Sequence, residues 1–339
     1  TARLNSTAAT TLTQTATMLT YTGETFTPAA NRQWWLDYMQ TQPWPGEELV
    51  YALIQKFVRR FVVEDPAALE PLKGRTCFYL ANHQTGIESM LFAVLAGGYM
   101  GAPLQTVAEI QHVDTYVGNL IRAFESYPGV GVPKSIIFFD EADQVTMLGH
   151  LDNFKASLRE RTYSIMAHSE GARAYDCRHR VTVLSGALVD FAIENDYPII
   201  PVWLAGGLPA ATLPNRIIYP HEYGSQDFYL GRPIHPETLR GKPNKERVQH
   251  VIDAINNTGP SADIEQPNPP DQAFIARVSE LRQQYSETNA ALLAAMERWA
   301  DPTPAYQRLI EAARTGADIP VQNAEDMWLK GLLDWLKEI

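Results

Sequence analysis

"TCFYLANHQTGIESMLFAVLAG", residues 76–97, sets an apolar run ahead of a short polar turn and a second, longer apolar run. Thr76 to Leu80 combines aromatic and aliphatic side chains at strand length and predicts a buried strand. Glu88 to Ala96 predicts a helix, with Glu88 in the positively polarised first turn. A strand that feeds a helix through a tight turn is the repeating unit of an α/β fold, and the alternation continues downstream. Candidate strands run from Gln105 to Ala108, Ser135 to Phe139, Tyr163 to Ala167, Pro198 to Trp203 and Asp227 to Leu230. Helical patterns cover Val145 to Glu160 and Ser185 to Asn195. The expected fold class is α/β, with a mostly parallel central sheet flanked by helices, and functional side chains then belong at the carboxyl ends of its strands.

Outward from this core the patterning changes. Upstream, "RQWWLDYMQ" and "PGEELVYALIQKFVRRFVVED" read as helices: Pro45 suits a first turn, Glu47 and Glu48 suit the positive helix end, and Leu49, Leu53, Phe57 and Phe61 share one stripe. Lys56, Arg59 and Arg60 form a small basic patch there, a solvated face or a docking site for an acidic partner. Downstream, "TGPSADIEQPNPPD" has no periodicity and reads as a linker. Beyond it Phe274, Val278, Leu281, Tyr285, Leu292 and Trp299 recur close to a heptad stripe, and "NAEDMWLKGLLDWLKEI" is a second amphipathic helix, expected to dock on the body rather than lie on a membrane. The division expected is a Thr-rich lead with N-terminal helices over 1–69, an α/β core over 70–258, a linker over 259–271 and C-terminal amphipathic helices over 272–339.

The 339 residues are 45% hydrophobic and 20% charged, enough to bury one large domain with smaller appendages. The net charge of -11 argues against a nucleic-acid partner, and no apolar run approaches the roughly 18 residues that span a bilayer, so at most peripheral membrane contact is expected. Cys77 and Cys177 offer neither a disulfide framework nor metal-ligand spacing, which fits a reducing cytoplasmic compartment. The Thr-rich lead is compatible with a transit-peptide remnant, which would put the protein in the plastid stroma, but it lacks the arginines such a segment favours. A linker or an excised end fits it better. The same start is compatible with one domain of a larger lipid or polyketide assembly enzyme.

The turn itself carries the chemistry. His83 follows the first strand and Glu88 opens the next helix, whose positive end favours an ionised carboxylate. Glu88 can curl back to accept a hydrogen bond from one imidazole nitrogen of His83, which fixes the tautomer and leaves the other nitrogen as a base aimed at a cleft. Alone, this spacing also describes an ordinary capping arrangement. His112, His150, His168 and His179 have no partner spacing that points to metal and rank below it, as do Trp34 and Trp35, which read as packing anchors.

Further motifs follow in order: "SIMAHSEGARAYD", a strand and then Ser169, Glu170, Gly171 and Arg173; "DYPIIPVWLAGG", a buried strand containing Pro201; and "FYLGRPIHPETL". Over roughly residues 75 to 240 the chain resembles the glycerophospholipid acyltransferase superfamily, the PlsC-like enzymes, and "NHQT" also resembles the plastid-type glycerol-phosphate acyltransferases. The resemblance implies that His83 is the general base and Glu88 its orienting carboxylate, in place of the usual Asp. It implies that Glu170, Gly171 and Arg173 are the block that binds the acceptor, with Thr85, Lys134 and Pro201 lining the substrate site. Arg173 suits an anion because of its planar fork; an ion pair with Asp176 is the plainer alternative. The donor implied is an acyl thioester, acyl-CoA or acyl carrier protein, as co-substrate, with no metal and no further cofactor. No covalent enzyme intermediate is required. Arg178 and Arg180, or "RGKPNKERVQ", would supply a basic patch for the carrier.

Two departures stand out. Glu109 occupies the strand end where the family usually has Lys, and "SIIFFDEADQ" puts Asp140, Glu141 and Asp143 where a basic pair is expected. An acidic rim disfavours a glycerol 3-phosphate-type acceptor and favours a neutral or cationic hydroxyl or amine, with Lys134 as a remaining cation. Two other readings stay open: a thioester hydrolase using the same base on water, and a non-catalytic acyl-binding domain. No G-x-S-x-G elbow points to a serine hydrolase.

Overall fold

The computed structural model describes residues 19–21, 24–139 and 162–338. A small antiparallel pair, Leu19–Tyr21 with Glu24–Phe26, precedes the body. Seven strands form the main sheet: β1 Val58–Val63, β2 Phe78–Ala81, β3 Leu104–Glu109, β4 Ile136–Phe139, β5 Ser164–His168, β6 Ile199–Ala205 and β7 Gln226–Leu230. Their order is β1-β7-β6-β2-β5-β3-β4. Neighbours are parallel except at β6 and β7, where the direction reverses. The longer helices are α1 Pro28–Met39, α2 Pro45–Phe57, α3 Glu88–Met100, α4 Tyr116–Glu125, α5 Gly186–Glu194, α6 Asn244–Asn256, α7 Gln272–Leu281, α8 Glu287–Met296, α9 Pro304–Thr315 and α10 Ala324–Lys337.

The alternation of β2 divides the core. Tyr79 and Ala81 pack with Met166, Val202, Leu204 and Phe228 under α2, α3 and the C-terminal helices. Phe78 and Leu80 pack with Ile165, Ile199 and Trp203 on the opposite face, beneath α5 and α6. The fold is therefore α/β with helices on both faces, and the C-terminal helices are built into the same apolar core as α2. Glu48, in the first turn of α2, accepts hydrogen bonds from the Thr303 N–H and hydroxyl at 2.6 Å each, pinning the start of α9. Glu47 pairs with Arg32 of α1. These two acids serve packing between helices as much as the helix dipole.

Three sequence expectations change. The helix drawn through residue 65 stops at Phe57 and becomes β1, where burial alternates rather than following a helical stripe. The β-branched Val58, Val62 and Val63 favour that switch, and pairing with β7 completes it. The heptad-like stripe is two helices, α7 and α8, broken where Ser286 caps α8 by accepting from the Asn289 N–H. The basic patch is internally neutralised, with Lys56 on Asp271 and both Arg59 and Arg60 on Asp227. The expected helix at Val145 to Glu160, with His150, the acids Asp140, Glu141 and Asp143 and most of the Thr-rich lead, lies outside the described residues. Among those described, no helix is long and apolar enough to cross a membrane.

Candidate active site

β2 and β5 are neighbours in register, Ala81 opposite His168, so the chain just beyond β2 meets the end of β5. Each side chain of "NHQT" has a separate task there. Asn82 extends the β2–β6 ladder: its Nδ2 donates to the Leu204 carbonyl at 2.8 Å and its Oδ1 accepts from the Leu204 N–H at 2.7 Å. Gln84 donates to Glu265 at 2.9 Å and accepts from the Gly207 N–H at 3.2 Å. Thr85 is fully buried and its hydroxyl donates to Gln226 Oε1 at 2.9 Å. Of the four side chains, His83 alone is left partly exposed.

Its orientation is fixed from behind. Nδ1 of His83 lies 2.7 Å from Glu88 Oε1. The same carboxylate accepts from the Gln84 N–H at 2.6 Å, the Thr85 N–H at 2.9 Å and Gln226 Nε2 at 2.7 Å. Burial pushes the Glu88 pKa up from the ordinary carboxylate value, and the His168 ring and these donors oppose the rise. An acceptor surrounded by N–H donors makes Nδ1 of His83 the protonated nitrogen, so Nε2 carries the lone pair. Burial, together with Arg173, His112 and Arg216, holds the His83 pKa well below the ordinary histidine value. The imidazole is a neutral base at physiological pH.

A second histidine, ranked low from sequence, belongs to the site. The His168 ring stacks on His83 with centroids 3.6 Å apart and planes 10° from parallel. His168 Nδ1 donates to the Asn82 carbonyl at 2.7 Å, and its Nε2 lies 2.6 Å from Ser89 Oγ. A carbonyl only accepts, so the Nδ1 proton is assigned and Nε2 is the acceptor for the Ser89 hydroxyl. His83, Glu88 and His168 come close enough together to suggest an ion site. Parallel stacked rings, however, direct their in-plane lone pairs side by side rather than to one point, and Glu88 is occupied by donors, so the three do not form a convergent ligand set.

The other predicted residues divide. Arg173 does join the site: its Nη1 donates to the Ile217 carbonyl at 2.6 Å and lies against Gly86, where a Cβ would come within 3.2 Å of it. It makes no ion pair with Asp176, which instead accepts from the Arg178 N–H. Gly171 turns the chain in the left-handed region with φ 65°. Glu170 points the other way, accepting from the Thr182 N–H at 2.9 Å and pairing with His179 at 2.7 Å. Thr85 supports Glu88 from behind. Pro201 is in mid-strand, level with Leu80 and packed beside Gly231. Lys134 lies before β4, toward the amino ends of the strands, and lines a small apolar cavity of about 40 Å³ with Trp35, Val50, Ala93, Val94 and Leu104. Arg180, expected on a surface patch, stacks over Trp203 at 4.2 Å.

Arg216 was not singled out in the sequence. Its guanidinium donates to the Arg173 carbonyl at 2.8 Å and sits 4.9 Å from the Tyr175 ring centroid, so two cations border the base. Glu265, from the segment read as a linker, is buried between Gln84 and Trp203, and burial pushes it up to about 7 against the hydrogen bonds those two residues donate. Neither protein-family models nor curated proteins give a match to this chain.

Proposed function

We propose that the chain is an acyltransferase that moves a fatty acyl group from an acyl thioester, acyl-CoA or acyl carrier protein, to a hydroxyl or amine. The observation that carries this reading is a neutral His83 held by a buried carboxylate through Nδ1, with Nε2 free of that bond, at the carboxyl ends of parallel strands. In the reaction, Nε2 takes the proton of the acceptor as its oxygen or nitrogen attacks the acyl carbonyl carbon. Glu88 stabilises the imidazolium through the Nδ1–H bond, and the proton then passes to the departing thiolate, with no net change in the histidine. The PlsC-like order of motifs supports the same chemistry.

The acceptor's charge is the finer question. Glu109 at the end of β3 weighs against a phosphate, as the sequence suggested; Arg173 and Arg216 beside the base weigh for one and narrow that objection. A hydrolase would use the same base on water, and the pairing of Ser89 with His168 favours keeping it as the second reading.

The test offers palmitoyl-CoA or palmitoyl carrier protein with glycerol 3-phosphate, a neutral alcohol, an amine or no acceptor. Acyl product that requires an acceptor and disappears in His83→Ala is the expected result. Free acid irrespective of acceptor would replace transfer by hydrolysis, and no thioester turnover with any acceptor would remove the enzymatic reading.

A further inference from the structure

We infer that Ser89 is a second catalytic residue, a nucleophile that receives the acyl group as an ester before the acceptor does, with His168 as its base. The inference rests on the acyl-transfer reading of the site and replaces direct attack of the acceptor on the thioester by two steps through Ser89. Its basis is a complete relay: Ser89 Oγ–H to His168 Nε2 at 2.6 Å, and His168 Nδ1–H to the Asn82 carbonyl at 2.7 Å. Nucleophile, base and an orienting acceptor are the three parts an activated serine needs, whichever group supplies the third. Here the third part is a backbone carbonyl, itself fixed because the Asn82 side chain is bonded twice to Leu204.

Position supports the same role. Ser89 and His168 are both partly exposed rather than sealed in the core, unlike Thr85 and Glu88 beside them. Ser89 lies in the first turn of α3, which has no side-chain cap at Ile87, and a helix N-terminus favours negative charge that develops beside it. The His83 ring lies face to face with His168, so one acyl carbonyl at Ser89 is within the reach of both bases. The Ser89 hydroxyl donates to the Nε2 lone pair of His168, and the nearby Glu88 carboxylate favours the imidazolium once it forms.

The step balances. Ser89 Oγ attacks the thioester carbonyl carbon as its proton moves to His168 Nε2; the C–S bond breaks and the thiolate leaves with that proton. The acceptor then attacks the Ser89 ester as its proton moves to His83 Nε2, the C–O bond to Ser89 breaks, and the released Ser89 alkoxide takes that proton from His83 Nε2.

A fluorophosphonate probe tests the serine independently of any acyl donor. We expect covalent label on wild-type protein to map to Ser89 by peptide mass spectrometry, to be absent from Ser89→Ala, and to form about a hundredfold more slowly in His168→Gln, with each variant first shown by thermal melting to be folded. Acid-quenched palmitoyl-CoA reactions should then show a palmitoyl ester on the same peptide. A folded wild type left unlabelled at Ser89, or Ser89→Ala transferring acyl groups at the wild-type rate, would overturn the inference. In the second case acyl transfer itself stands. If Ser89 labels and acylates but no acceptor yields product, the serine's role stands and the transfer reading fails.

Discussion

His83 and His168 are stacked neighbours with the same tautomer and different support. His83 gives its Nδ1 proton to a carboxylate, His168 to a peptide carbonyl. A carboxylate rewards the imidazolium with charge as well as a hydrogen bond; a carbonyl offers only the bond. On the proposed acyl-transfer reading, the difference would separate a base that holds a proton through the reaction from one that passes it on. Only one of the two can be charged at a time without strong repulsion across 3.6 Å.

His83→Ala should produce the largest effect, a fall of about 10²–10⁴-fold in kcat with acyl thioester and acceptor, measured by product formation on protein whose melting is unchanged. A drop below threefold would end the assignment of His83 as the general base. The ground beneath His83 should titrate separately. Glu265 rises in the folded chain from an ordinary 4.5 to about 7, so the folded state binds the extra proton. Its contribution to stability is complete below about pH 4.5 and is lost as pH rises through about 7, worth about 3 kcal/mol. Melting curves from pH 5 to 9 should show this loss in wild type and a flatter profile in Glu265→Gln.

Weakening the carboxylate sharpens the contrast further. Glu88→Gln removes the charge behind His83, and the expected loss is about 10- to 100-fold in kcat, equivalent to the 1.5–3 kcal/mol of a charged hydrogen bond. Because an anion stabilises the imidazolium, its removal should also shift the acid limb of the pH–rate profile to lower pH. Arg173→Met should do the reverse on a smaller scale. Removing a cation that lowers His83 moves that limb to higher pH by about one unit or less. A limb that stays fixed in both variants would show that His83 does not set it.

Much of this was legible in the chain and some was not, for reasons of range. Six strands and the His83–Glu88 pair announce themselves because strand, turn and helix signals act within a few residues. β1 escaped because Leu49, Leu53, Phe57 and Phe61 continue a helical period across the junction at Val58, where the deciding partner is β7. His168 escaped because its two hydrogen-bond partners, Asn82 and Ser89, belong to the turn and helix after a different strand. Its position at the end of a predicted parallel strand beside β2 was the available signal. Arg216 lies in a stretch without periodicity, and only the fold brings it to Arg173. Glu265 was hidden by composition: a Pro-rich segment with no pattern nonetheless lays one carboxylate across Gln84 and Trp203.

The order of strands also bears on how the chain is made. β1 has β7 as its partner in the main sheet, and β7 lies between β1 and β6. During synthesis, Val58–Val63 leaves the ribosome roughly 10 to 30 s before residues 226–230 do. For that interval an apolar strand waits beside a gap, and Asp227, the counter-charge for Arg59 and Arg60, has not yet been made. A nascent chain that ends before β7 therefore leaves the backbone edge of β1 without its ladder partner, and Arg59 and Arg60 without their shared carboxylate.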